Sequence, residues 1–309
     1  MLLVIGSANI DLCLDLPTLP APGETRGGGA FRQAFGGKGA NSAVGAAQAG
    51  APVALIACVG RDHYGARMLA QLRAKKVDTA LIEESPDAAT GVAFIFLDRR
   101  AQNMIGLAAG ANDRVTAARL DQLLPRLREA DVILIQNEVP AATVEHLLAL
   151  AAGEKWRLLY NSAPARAVPP RLLAAVEWLV LNESEAAQLA GRPVAGAAEA
   201  ETAARDLRRR GAKNVLITLG PAGVCAAHPG GFFHTPAFPV EAVDTVGAGD
   251  IFCGVLAVAC AEGRELPAAV RFASAAAALS VTRPGAQDAA PTREEIEAFL
   301  ASSDPGCSG

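Results

Sequence analysis

The chain has 309 residues, a formal net charge of -4, 51% hydrophobic residues rich in alanine, and 5% aromatic residues. A chain of this length buries a substantial core, as one large α/β domain or two smaller ones. Its weakly acidic balance offers no basic field for nucleic acid or an anionic membrane, so a small-molecule ligand is expected. The apolar run 251–261 lies between Asp250 and Glu262 and is too short to cross a bilayer. Residues 1–5 carry no basic leader and read as a first strand, not as a secretory signal. The cysteines at 13, 58, 225, 253, 260 and 307 include no Cys-x-x-Cys pair, which fits buried, reduced thiols in a cytoplasm.

In chain order, apolar residues 2–5 end at Gly6-Ser7, and residues 8–16 then alternate polar and apolar. The alternation predicts a strand with Asn9 and Asp11 on one side. There they could hold sugar hydroxyls, the amide giving and taking hydrogen bonds and the carboxylate accepting them, or they could satisfy backbone in a loop. Residues 17–29 are rich in Pro and Gly and read as loop, and 31–35 as a short strand. Gly36-Gly37-Lys38-Gly39-Ala40-Asn41 follows, ahead of an alanine-rich helix over 42–48. Glycines around a lysine let backbone amides approach a ligand closely, or they make an ordinary turn. The loop is not a Walker A motif, because Arg32 stands where its first glycine would be and no Ser or Thr follows Lys38.

Residues 52–60 predict a strand and 64–76 an amphipathic helix. Residues 91–97 and 103–106 flank the polar stretch 98–102 in a hairpin pattern. With 10–16 and 31–35 they could form a small separate sheet, a lid or dimer surface whose apolar face needs a cover. From Val115 the pattern reads helix to 128, strand 132–136, helix 141–151, strand 158–160, helix near Arg171, strand 178–181, helix 199–210, strand 215–219 and turn 220–223. Continuous apolar strands between helices indicate a parallel sheet covered on both faces. Asn137-Glu138, Asn161 and Asn182-Glu183-Ser184-Glu185 lie just past strand ends, where open α/β sheets bind ligands. Helices over 267–281 and 296–300 close the chain, and 302–309 are expected to fray. One domain over 1–309, with a lid from segments near 9–17, 30–36 and 90–106, is the simplest organisation.

The chemistry is placed at Val243-Asp244-Thr245-Val246-Gly247-Ala248-Gly249-Asp250, which leads into the small-residue helix 251–261. A glycine turn over 247–249 would present free backbone amides at the positive end of the helix dipole, suited to a phosphate. Asp250 has two readings there: it caps the helix as its N-cap, or it takes a proton from an attacking hydroxyl. Gly247-Ala248-Gly249 does not open a dinucleotide fingerprint, because position 252 is phenylalanine.

Three stretches together, Gly36 to Asn41, Asn182 to Glu185 and Asp244 to Asp250, resemble the ribokinase (PfkB-type carbohydrate kinase) family, and the likeness runs from Met1 to about Leu300. Gly6-Ser7-Ala8-Asn9-Ile10-Asp11, Gln136-Asn137-Glu138, Asn161 to Arg166 and Thr218-Leu219-Gly220 are similar to its ribose-phosphorylating members. The resemblance implies a three-layer α/β fold with a mainly parallel central sheet covered by helices, plus a small β-sheet lid. It implies ATP- and Mg2+-dependent phosphorylation of D-ribose at O5. Asp250 would be the catalytic base beside the turn Gly247, Ala248 and Gly249, the last two offering amides to the transferred phosphoryl group. Asn9, Asp11, Gly37, Lys38, Gly39, Asn41 and Glu138 would hold the sugar. Asn182 and Glu185 would act near magnesium and phosphates, largely through water. Thr218, Gly220 and Gly223 would line the nucleotide site, with Ser274 where a histidine or asparagine often packs near the adenine. Asp244, Val246, Ser280, Arg283 and Gly285 would bind an activating K+, mostly through backbone carbonyls, with Ala289 where a serine often completes the shell.

The family likeness further implies a homodimer through the lid. Other acceptors (2-deoxyribose, fructose, 2-keto-3-deoxygluconate, a nucleoside) remain alternatives, as does a non-catalytic sugar or nucleotide sensor on the same fold. Phe35, Phe94 and Phe96 read as lid packing rather than as a nucleoside stack.

Overall fold

A computed structural model describes residues 1–100 and 102–303. The main sheet has eight strands: β1 (Leu2–Ile5), β4 (Val53–Ile56), β9 (Val132–Ile135), β10 (Arg157–Asn161), β11 (Trp178–Asn182), β12 (Asn214–Thr218), β13 (Val224–His228) and β14 (Gly231–Thr235). Their order is β14-β13-β12-β11-β10-β9-β1-β4, parallel from β12 to β4 and antiparallel through β13 and β14. Strands this apolar are buried on both faces, and alternate residues therefore enter two cores. Leu2 and Val4 of β1 pack in one with residues of the helices Lys38–Gln48, Ala248–Ala261 and Leu266–Ser280. Leu3 and Ile5 pack in the other, with residues of Ala141–Ala151 and Ala197–Arg209. The result is a three-layer α/β/α arrangement.

A second sheet comprises β2 (Asn9–Leu16), β3 (Phe31–Gly36), β7 (Gly91–Asp98) and β8 (Asn103–Ala108) in the order β3-β2-β7-β8. Its register aligns Phe31, Leu14, Phe96 and Met104 across one face, and Ala34, Asp11, Ala93 and Leu107 across the other. Phe31, Phe94, Met104, Ile105 and Leu107 are exposed. A parallel pair, β5 (Cys58–Gly60) and β6 (Glu83–Ser85), lies apart from both sheets.

Several elements differ from the sequence expectation. The single strand over 52–60 is two strands in two sheets, divided at Ala57. The helix over 115–128 is two short ones, Ala117–Gln122 and Leu124–Arg128, because Pro125 has no N–H to continue the first. β6, β13, β14 and the helix Glu183–Ala190 had no counterpart in the periodicity reading. The first glycine-rich helix begins at Lys38 and not at Ser42, and the last described helix runs Arg293–Ser303. The expected fraying concerns 302–309, of which 304–309, with Cys307, lie outside the described residues. The other five cysteines are free and buried. No helix among the described residues is long and apolar enough to cross a membrane.

Candidate active site

The helices Lys38–Gln48 and Ala248–Ala261 cross at close range because small residues face each other. A Cβ on Gly254 would stand 2.1 Å from the Ser42 carbonyl oxygen, and one on Gly45 would stand 3.1 Å from Ile251 Cα. This crossing brings Asn41 to Asp250 across 209 residues of sequence. Asn41 Nδ2 donates to Asp250 Oδ2 at 2.9 Å, and Lys38 Nζ lies 3.7 Å from Asp250 Oδ1. Burial raises the Asp250 carboxyl above its usual range, opposed by Lys38 and the Asn41 bond. The same Asp250 charge raises the Lys38 ammonium.

Asp250 is not the N-cap. Gly247 occupies that position at φ 77, and the helix begins at Ala248, so Ala248 and Gly249 are its first residues and not part of a preceding turn. A Cβ at Gly247 would meet Ala286 Cβ at 2.6 Å, so both the backbone conformation and the space require glycine. The Ala248 amide donates at 3.4 Å to the Thr245 carbonyl, and a Cβ on Gly249 would meet nothing within 4 Å, so the start of the helix is open beside Asp250.

On the opposite wall, Gly37 at φ 91 lets the Lys38 helix start against β2, where a Cβ would stand 2.7 Å from the Asn9 amide nitrogen. Glu138 Oε2 accepts from Ser7 Oγ at 2.6 Å and from the Lys38 amide at 3.1 Å. Gln136 donates to Ser7 Oγ and accepts from the Glu138 main-chain amide, so it braces both the hydroxyl that holds the carboxylate and the backbone that carries it. Asp11 is buried, and desolvation together with the Glu138 and Asp250 charges pushes it up to about 7. Asn9 shares its strand face, and Gly36 and Gly91 on the neighbouring strands leave the room both side chains occupy. Ser7 and Gln136 stand in stretches that carry the family resemblance but were given no role of their own, and Asn112, whose amide meets Asn9, was in none of them. Asn112 is 103 residues from Asn9, and no local pattern links them.

Beyond β11, Asn182 and Glu185 form a capping box: Asn182 Oδ1 accepts from the Glu185 amide at 2.9 Å, and Glu185 Oε2 from the Asn182 amide at 2.8 Å. The Asn-x-x-Glu spacing is a helix-start signature that reading the run as a strand end overlooked. Lys38, Asn161, Asn182, Glu185, Thr218, Gly249, Asp250 and Cys253 line one cavity. Burial raises the Glu185 carboxyl.

Gly220 and Gly223 do not line that cavity; a Cβ on Gly223 would stand 2.1 Å from the Thr235 carbonyl oxygen of β14. Ser274 is buried with its Oγ unpartnered. Asp244 joins two loops, accepting from the Val246 amide at 3.0 Å and the Gly285 amide at 2.9 Å. The Arg283 guanidinium is engaged by Glu295, and Ser280 Oγ donates to Ala277 O. Ala289 is buried. Among the described residues, no three His, Cys, Asp or Glu side chains are grouped to hold a metal ion.

The profile of the pfkB family of carbohydrate kinases matches residues 1–293. The chain belongs to this family. A ribokinase of Haemophilus influenzae is 38% identical over 97% of this chain and 98% of its own length. A deoxyribokinase of Salmonella typhi is 34% identical over 96% and 97%. A solved ribokinase of Arabidopsis thaliana, complexed with ribose and ATP, superposes with a TM-score of 0.90 at 29% identity, covering 97% of this chain and 98% of that one. This carbohydrate kinase is therefore a phosphotransferase that moves a phosphoryl group from ATP to a small sugar.

Proposed function

We propose that this kinase phosphorylates D-ribose at O5. The observation that carries the reading is the convergence of Asp250, Lys38 and Asn41 with Glu138, Asp11 and Asn9 on one side of a helix N-terminus. Asp250 accepts the O5 proton as O5 attacks the γ-phosphorus. The new O5–P bond forms while the bond to the β,γ-bridging oxygen breaks, and that electron pair leaves with ADP. The amides of Ala248 and Gly249 and the Lys38 ammonium face the charge on the phosphoryl oxygens. Asn41 fixes the rotamer of the base, and Ser7, itself held by Gln136, fixes that of Glu138.

The donor is Mg-ATP. Asn182 and Glu185 would hold the magnesium ion through water, and the ion would neutralise charge on the phosphates. The orphaned Ser274 Oγ and Thr218 suit a polar nucleotide partner, with Gly220 and Gly223 in the adjoining turn. A K+ ion fits the Asp244 carboxylate, both of whose oxygens are oriented by loop amides, with carbonyls of Val246, Ser280, Arg283 and Gly285 as further oxygen donors. The small sheet acts as a lid that excludes water from the phosphoryl group and joins two copies through its exposed apolar residues.

The second reading, 2-deoxyribose as acceptor, is favoured by the similarity to a deoxyribokinase. ADP release with ribose, 2-deoxyribose, fructose, 2-keto-3-deoxygluconate and adenosine, with and without K+, decides between them. A clear preference for ribose supports the assignment, and turnover confined to another acceptor overturns it.

A further inference from the structure

Asn112 lies in the short 3-10 helix Gly110–Arg114, just after the last strand of the small sheet, and is buried. Its Oδ1 accepts from the Ala8 amide at 2.9 Å, while its Nδ2 donates to the Ala109 carbonyl at 2.9 Å and to Asn9 Oδ1 at 2.6 Å. Two of these partners are main-chain groups whose donor or acceptor sense is fixed, so they settle which way the Asn112 amide points. Its remaining proton requires an acceptor, and Asn9 must supply its oxygen. The Asn9 NH2 is thereby turned away, and it meets no acceptor among the described residues. Gly91 packs against this pair: a Cβ there would stand 2.2 Å from Asn9 Oδ1 and 2.3 Å from Asn112 Nδ2. On the next strand, a Cβ at Gly36 would stand 2.2 Å from Asp11 Oδ2.

We propose that Asn112 is a positioning residue for sugar specificity, which makes Asn9 a donor only, so that a sugar hydroxyl between Asn9 and Asp11 accepts from the first and donates to the second. The proposal rests on the reading of Asn9 and Asp11 as sugar ligands. A hydroxyl can do both tasks, a hydrogen does neither, and a methyl ether only accepts. A deoxy sugar leaves two buried polar groups unpaired at once, which is the situation that gives the largest discrimination. Asn112 contacts no substrate itself. Because it bonds Ala8 just before β2 and Ala109 just after β8, it ties the polarity of the sugar site to the seating of the small sheet on the main one.

The test is kcat/KM for D-ribose, 2-deoxyribose and 3-deoxyribose in the wild type, Asn112→Asp, Asn9→Ala and the double variant, with the melting temperature of each. A carboxylate at 112 still accepts from Ala8 but cannot donate, so Asn9 turns its NH2 inward and offers its oxygen to the sugar. The preference for ribose over the deoxy sugar is expected to fall by about tenfold or more in Asn112→Asp, and to change no further when that substitution is added to Asn9→Ala. An equal loss with every sugar, or an additional loss in the double variant, overturns the role of Asn112 and leaves the ligand reading standing. A wild-type enzyme that treats ribose and both deoxy sugars alike overturns the ligand reading and the proposal with it. Should Asn112→Asp not fold, Asn112→Ala frees the Asn9 amide to rotate and is read with the same sugars.

Discussion

Asp250→Asn removes one proton acceptor from a site that otherwise keeps its shape. Asn41 Nδ2 now donates to Asp250 Oδ2 at 2.9 Å, a bond that an asparagine oxygen can retain. The new NH2 then faces Lys38, whose Nζ lies 3.7 Å from Oδ1. Lys38 is 29% exposed, so solvent screens the lost attraction, which is worth about 1–2 kcal/mol at this separation. Relief from burying a carboxylate offsets part of that, and the melting temperature should fall by no more than about 6 °C. The chemical step has no such compensation. Loss of general-base help should lower kcat by about 10²–10⁴-fold, or roughly 3–5 kcal/mol of barrier. Because that interaction develops mainly in the transition state, KM for sugar and for ATP should move by less than about threefold. A coupled ADP-release assay at saturating Mg-ATP and ribose, run beside a thermal melt, reads both quantities. A kcat within about tenfold of the wild type, or a raised KM with kcat intact, would refute proton acceptance by Asp250.

Asp11, held up to about 7, binds its proton more tightly in the folded chain than in the unfolded one. Stability should therefore decline as pH rises from the ordinary carboxylate range to about 7 and level off above it. Over the same window kcat/KM for ribose should climb as Asp11 ionises; urea melts and rate profiles of the wild type and Asp11→Asn, which should lack this component, check both. Asp244→Ala removes the carboxylate that links the Val246 and Gly285 loops, and should abolish activation by K+ while activity in Na+ changes little. Unaltered K+ activation would place the cation elsewhere. Gly247→Ala combines a φ of 77 with a Cβ 2.6 Å from Ala286, and should cost about 2 kcal/mol and at least tenfold in kcat. Met104→Glu with Ile105→Glu puts charge on both faces of the small sheet and should convert a sedimenting dimer to monomer; the single variants identify the face. A wild-type monomer, or a dimeric double variant, contradicts association through this sheet.

Local signals in the chain reach as far as their physical range. The run of apolar residues at 132–135 and its like between helical stretches determine a parallel sheet covered on both faces, since only two covered faces can bury every residue of a strand. The alternation at 9–16 determines that Asn9 and Asp11 share a side, because strand side chains repeat every second residue. Glycine at 247 determines a turn of positive φ ahead of a helix, although the position of Asp250 inside that helix, and not at its cap, needed the backbone path. The hairpin of β13 and β14 pairs locally across Pro229-Gly230, a turn signal that a reading by strand period does not register, whereas the division at Ala57 escaped periodicity because β5 pairs with β6 from beyond the intervening helix His63–Ala74.

Tertiary structure alone decided which polar groups meet. Asn41 and Asp250 are 209 residues apart, and they touch because Gly45 and Gly254 let two helices cross closely. Asn112 orients Asn9 only once the turn after β8 is seated against the start of β2. Composition and period describe a chain's local preferences, whereas the direction of an amide or the proton affinity of a buried carboxyl depends on atoms brought together by folding.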